Sequence, residues 1–96
     1  MSDRKLLDVA RDAPCMLRLT RTCGRYPTVC VHSDMLRHGR GVGHKSRAIF
    51  AVPGCPDCHA AFTRAALGRE GYEETWRRAH EEYLPWLIEN ERLKVA

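Results

Sequence analysis

No stretch of the chain is long or apolar enough to cross a bilayer. The opening residues Met1-Ser2-Asp3-Arg4-Lys5 lead into a charged, interrupted segment, without the apolar run and small-residue cleavage site of a secretory leader. These absences argue against a membrane partner and for a reducing, cytoplasmic compartment. Internal repeats, linkers and low-complexity tracts are also lacking, so the 96 residues read as one domain, 1–96. Its core would span about residues 15–69, followed by a helical region over about 71–96. A domain of this size has a thin core and gains from a staple.

Five cysteines are present. In a reducing compartment thiols persist, and a paired pattern points to a metal before it points to disulfides. Cys55-Pro56-Asp57-Cys58 places two thiols on a tight turn leading into a helix, a common way to supply half of a tetrahedral zinc site. Cys15 and Cys23 can supply the other half from the first strand and its turn, closing a four-sulfur shell around a structural Zn2+. Cys30 could replace Cys23, although in an apolar strand it reads better as a small buried hydrophobe. Cys55 to His59 also spells a haem c attachment motif and contains a redox-type pair. The first needs export, and the second belongs early in a βαβ pattern rather than after a hairpin.

Lys and Arg total 16 against 12 Asp and Glu, a net charge of +4. A zinc ion with four thiolates lowers that sum to about +2. The distribution says more. Residues 18 to 47 hold Arg18, Arg21, Arg25, Arg37, Arg40, Lys45 and Arg47 against Asp34 alone, and most of the acid lies between Glu70 and Glu91. The basic middle is the candidate surface for a polyanion.

Ser2 can cap a helix carrying Leu6, Leu7 and Ala10 on one face, limited by Pro14. The alternation Met16-Leu17-Arg18-Leu19-Thr20 predicts a strand ending near Cys23-Gly24. Residues 28–32 and 48–52 predict two further strands joined by a loop that contains Gly39, Gly41 and Gly43. A helix should start at Asp57 or Cys58, run through Leu67 and stop at Gly68 or Gly71. Beyond it Tyr72, Trp76, Ala79 and Tyr83 form one apolar stripe at helical spacing, with Pro85 kinking or restarting the helix. The stripe reads as core rather than as a base-stacking surface. His38 and His80 read as structural or solvated.

Val31-His32-Ser33, the loop His38-Gly39-Arg40-Gly41-Val42-Gly43-His44-Lys45 and Cys55-Pro56-Asp57-Cys58-His59, in this order, resemble an HNH, or His-Me finger, endonuclease. More narrowly the chain is similar to small nucleases of phages and prophages, and its loop to that of a phage RecA-dependent nuclease. The likeness runs from Cys15 through His59 and, more loosely, to the C-terminal residues. It implies an α+β fold in which a zinc-stapled ββα-metal core is flanked by N- and C-terminal helices. It implies a metal-dependent endonuclease that hydrolyses DNA phosphodiesters in phage recombination or DNA processing inside a bacterial host cell, with RNA left open as a substrate.

The resemblance makes His32 the general base and His59 a ligand of a catalytic Mg2+ or Mn2+, with Asp34 or His44 as second ligand. Arg40, His44, Lys45 and Arg47 would contact the nucleic acid, and a recombinase or another phage protein would be a partner. The chain departs from the pattern at two places. Val31 stands where many such enzymes carry an acidic ligand, and the middle asparagine is missing, since Asn90 is the only one in the chain. These departures favour an alternative, a noncatalytic zinc knuckle that binds nucleic acid or a phage protein.

Overall fold

The computed structural model describes residues 8–33, 35 and 50–90. Strand β1 (Val29–His32) pairs antiparallel with β2 (Ala51–Gly54), followed by helix α1 (Pro56–Ala61) and the long helix α2 (Arg64–Glu89). A helical turn at residues 8–10 precedes them. The architecture is a small α+β fold with a two-stranded sheet. The register sets Val29 opposite Gly54, Cys30 opposite Pro53, Val31 opposite Val52 and His32 opposite Ala51.

The strand expected over 28–32 is found; of the one expected over 48–52, residues 48 and 49 lie outside the described residues, and β2 runs beyond it through Pro53 and Gly54. Proline has no N–H for a ladder, so it must sit where that group would point away from its partner. The Pro53 carbonyl accepts from Met16 N–H at 2.9 Å, on the outer edge of β2. Carbonyl and amide of one antiparallel residue point the same way, so Pro53 costs the β1 ladder nothing.

The strand expected over residues 16–20 is absent; the segment is irregular. Cys15, Met16 and Leu17 are buried in succession, and Arg18 has left-handed backbone (φ 44). Three consecutive buried residues and a left-handed one cannot follow a pleat with period two. The segment instead wraps the edge of β2, bonded to it through Met16.

The expected single helix from Cys58 to Leu67 is two pieces. Phe62 ends α1 and Thr63 starts α2, its hydroxyl accepting from Ala66 N–H at 3.0 Å. The break turns Phe62 inward, where its ring stacks on Tyr72 at 4.1 Å between centroids. Gly68 then interrupts α2 with φ 73 and ψ 169; nothing lies within 4 Å of where its Cβ would be, so backbone conformation alone requires glycine there. Helix continues through Pro85 to Glu89 with no break or restart there. Pro85 and Glu81, whose carbonyl loses its donor, are both exposed, and water can take the missing bond.

The apolar stripe of α2 lies where its spacing places it. Tyr72, Trp76, Ala79, Tyr83 and, one step further, Leu87 are all buried and form the core with Leu17, Val31, Val52 and Phe62. Trp76 Nε1 donates to Phe50 O at 3.0 Å, which ties α2 to the start of β2. Thr28 is buried with its Oγ1 2.8 Å from Ala10 O and 2.9 Å from Ala13 O, joining the N-terminal turn to the foot of β1. Among the described residues no helix is long and apolar enough to cross a membrane.

Gly54 sits at the tightest contact of this core. A Cβ added there would lie 2.7 Å from Leu17 Cδ1 and 2.9 Å from Val31 Cγ2, both on side chains already buried. Gly54→Ala is therefore expected to destabilise the fold by about 1–3 kcal/mol. Thermal or denaturant unfolding of the two proteins checks this; an unchanged midpoint would mean the core has slack at this site.

Candidate metal centre

The four cysteines chosen from spacing converge. The Sγ atoms of Cys15, Cys23, Cys55 and Cys58 all lie within 4.8 Å of one another. Tetrahedral zinc with bonds of about 2.3 Å needs sulfurs roughly 3.8 Å apart, so a small contraction completes the shell. Cys15, Cys55 and Cys58 are buried, and Cys23 is half-buried at the rim. The set could hold a metal such as zinc. Cys30 is not among them; it lies half-buried on β1. Burial pushes its thiol up to about 11, against a smaller opposing pull from Arg11.

Local sequence explains how each pair is presented. Cys55 follows β2 directly and is the N-cap of α1, with Pro56 at the helix start, where a missing N–H is harmless. Cys58 N–H points at Cys55 Sγ at 3.5 Å, and His59 N–H donates to Cys55 O at 2.8 Å. Cys15 and Cys23 bracket an irregular loop closed on itself: Cys15 N–H donates to Arg25 O at 2.9 Å, and Cys23 N–H to Thr20 O at 3.2 Å.

The two halves also bond across the centre. Leu19 N–H donates to Cys58 Sγ at 3.2 Å, and the Thr20 hydroxyl lies 3.7 Å from the same sulfur. Burial alone would raise the Cys58 thiol. The backbone N–H groups of Leu19 and Thr20, the Thr20 hydroxyl and Cys55 outweigh it and bring Cys58 down to about 6. Cys23 goes the other way, to about 12, chiefly through burial, with bonds from the other three sulfurs adding to it. Cys55 is also raised, first by burial. Cys58 is thus the thiol of the centre most readily deprotonated, while burial resists charge on Cys23 and Cys55.

Residues with no apparent role in the sequence hold this geometry. The Arg78 guanidinium, on α2, forks across two consecutive carbonyls, Met16 O at 3.2 Å and Leu17 O at 2.6 Å. Glu82, one turn further on, pairs with Arg18 and lies 3.6 Å from Arg78. The charges are part-exposed, so the ion pairs add little stability; the two carbonyl bonds fix the cysteine loop on the helix. No local pattern announces such a contact across more than 60 positions, although an arginine beside a buried stripe is a weak hint.

The two histidines lie on different elements. His32 is half-buried at the last position of β1, and His59 is exposed on α1 next to Cys58. Among the described residues the four cysteines are the one group of three or more ligand side chains gathered for a metal, and neither histidine belongs to it. Asp34, Arg40, His44, Lys45 and Arg47 lie outside the described residues. His80 stacks on Trp76 at 4.5 Å, in keeping with a structural role.

No protein-family model, curated protein or solved structure matches this chain.

Zinc requires four thiolates, so uptake must displace the protons that burial holds on Cys23 and Cys55, while Cys58 is already poised to lose its own. Affinity accordingly rises with pH and falls as protons compete. At pH 7 zinc binding should release at least about two protons, measured by titration calorimetry in buffers of different ionisation enthalpy. Release of fewer than that would contradict the four-thiolate shell.

Proposed function

We propose that the protein is a metal-dependent HNH-type endonuclease acting on DNA, with the cysteine centre as its structural staple. The observation that carries this reading is the order of parts: the first strand of an antiparallel pair ends in His32, and the second leads through Cys55 and Cys58 to a helix bearing His59. A closed sulfur shell has no open position for substrate, so any chemistry belongs to groups beside it. In this reading the residues take a ββα-metal, His-Me finger arrangement. His32 accepts a proton from the attacking water, and its position on a rigid strand end keeps the imidazole aimed.

His59, with Asp34 or His44, would hold the Mg2+ or Mn2+. Such an ion would supply charge stabilisation at the scissile phosphodiester, the chemistry of a cut that leaves a 5′ phosphate. Arg40, His44, Lys45 and Arg47 neutralise the flanking phosphates. The setting is phage recombination or DNA processing in a bacterial cytoplasm, with a recombinase as partner.

One observation favours a second reading, a zinc knuckle that binds nucleic acid or a phage protein without cutting it. Val31, the position before His32, is 2% exposed and packed into the core, so no ligand can be offered from there.

Plasmid nicking in magnesium or manganese separates the two. His32→Ala should lower the nicking rate at least about 100-fold with zinc content and folding unchanged. Undiminished nicking would remove His32 from the mechanism. Wild-type protein that binds DNA in a salt-sensitive way and leaves it whole would establish the binding module instead.

A further inference from the structure

The loop between Cys15 and β1 has a second feature that the metal does not use. From Ala13 to Ser33 the sequence contains Arg18, Arg21 and Arg25 and no acidic residue. Arg18 is paired with Glu82. Arg21 and Arg25 are exposed and have no acidic partner among the described residues. Between Arg25 and Pro27 stands Tyr26, 56% exposed and the most exposed large hydrophobic residue described. Buried aromatics are the rule elsewhere in this chain: Phe62, Tyr72, Trp76 and Tyr83 are all in the core.

The loop is also held rigid. Cys15 and Cys23 anchor it at the sulfur centre, Cys15 N–H bonds to Arg25 O at 2.9 Å, and Tyr26 N–H to Gly24 O at 2.7 Å. Arg25 has left-handed backbone, φ 63, where glycine would be at ease and arginine is not. Two cations without an acidic partner among the described residues, beside a presented ring on a pinned loop, match a nucleic-acid strand: phosphates for the guanidinium groups and a base for the ring. A ring can stack only on a base that is not already covered by its neighbours, so unpaired strands are favoured over duplex.

We infer that the cysteine loop is a single-strand docking surface, in which Arg21 and Arg25 contact phosphates and Tyr26 stacks on an unpaired base. The inference rests on DNA being the substrate and gives that substrate a structure: single-stranded or carrying unpaired bases. The loop holds the strand beside the sulfur centre, whose Cys58 directly precedes His59.

The test uses the full zinc-loaded chain without added magnesium or manganese, and a fluorescein-labelled oligonucleotide of mixed sequence, as a single strand and as a duplex. Wild type should prefer the single strand. Arg21→Gln combined with Arg25→Gly should reduce the slope of log affinity against log salt by about 1.4, the loss of two phosphate contacts. The glycine relieves the backbone at position 25, so a drop in binding from this variant is not a loss of folding. Tyr26→Ala should weaken single-strand binding about tenfold with the salt slope unchanged, and Tyr26→Phe should bind like wild type. Equal preference for duplex, an unchanged slope in the arginine variant, or a Tyr26→Phe defect as large as that of Tyr26→Ala would each overturn the assignment. His32→Ala keeps this surface intact. If that variant still cuts DNA, the assignment of the base fails while the binding result stands.

Discussion

Four sulfur atoms crowded within 4.8 Å of one another constrain the rest of the molecule. As thiols they can share weak hydrogen bonds, but as thiolates they repel, and burial, which raises Cys23 and Cys55, adds to the resistance to charge. A divalent cation reverses the sign of the interaction and turns a strained cluster into a cross-link. Such a cross-link would join segments distant in the chain, the irregular loop of Cys15 and Cys23 and the strand-to-helix junction of Cys55 and Cys58. A core of this size needs such closure, because few buried side chains oppose the entropy of the chain.

Everything around the centre holds those two segments in position. Arg78 grips the carbonyls of Met16 and Leu17, Met16 N–H reaches the outer edge of β2 at Pro53, and Leu19 N–H reaches Cys58 Sγ. The stripe from Tyr72 to Leu87 seats α2 behind the sheet, so that Arg78 lies beside the loop it holds. Polar contacts and apolar packing thus converge on one loop, and the same rigidity presents Arg21, Arg25 and Tyr26 to solvent.

Local periodicity made the long helix legible. Spacings of four, three and four place Tyr72, Trp76, Ala79 and Tyr83 on one face, and all four are buried. The cysteine set was legible because cysteine is rare and its chemistry narrow, and the choice of Cys23 over Cys30 agrees with the cluster. The alternation from Met16 to Thr20 misled, because residues drawn inward by a metal loop can mimic a pleat for a few positions. Pro53 within β2 was hidden because an outer-edge proline depends on which way its carbonyl points, a property of the pairing and not of the residue. Arg78 and the N–H of Leu19 were invisible for a related reason: their partners are distant in the chain. The roles of His32 and His59 come from likeness to a nuclease motif, and the geometry of the cysteine centre neither requires nor forbids them.

The claim on which the whole account stands is that these sulfurs share one ion. X-ray absorption at the zinc edge of protein purified under reducing conditions tests it most directly. The account predicts one zinc per chain surrounded by four sulfur scatterers at about 2.3 Å. A shell containing nitrogen or oxygen, or a protein without bound metal in which Cys55 and Cys58 form a disulfide, would contradict it.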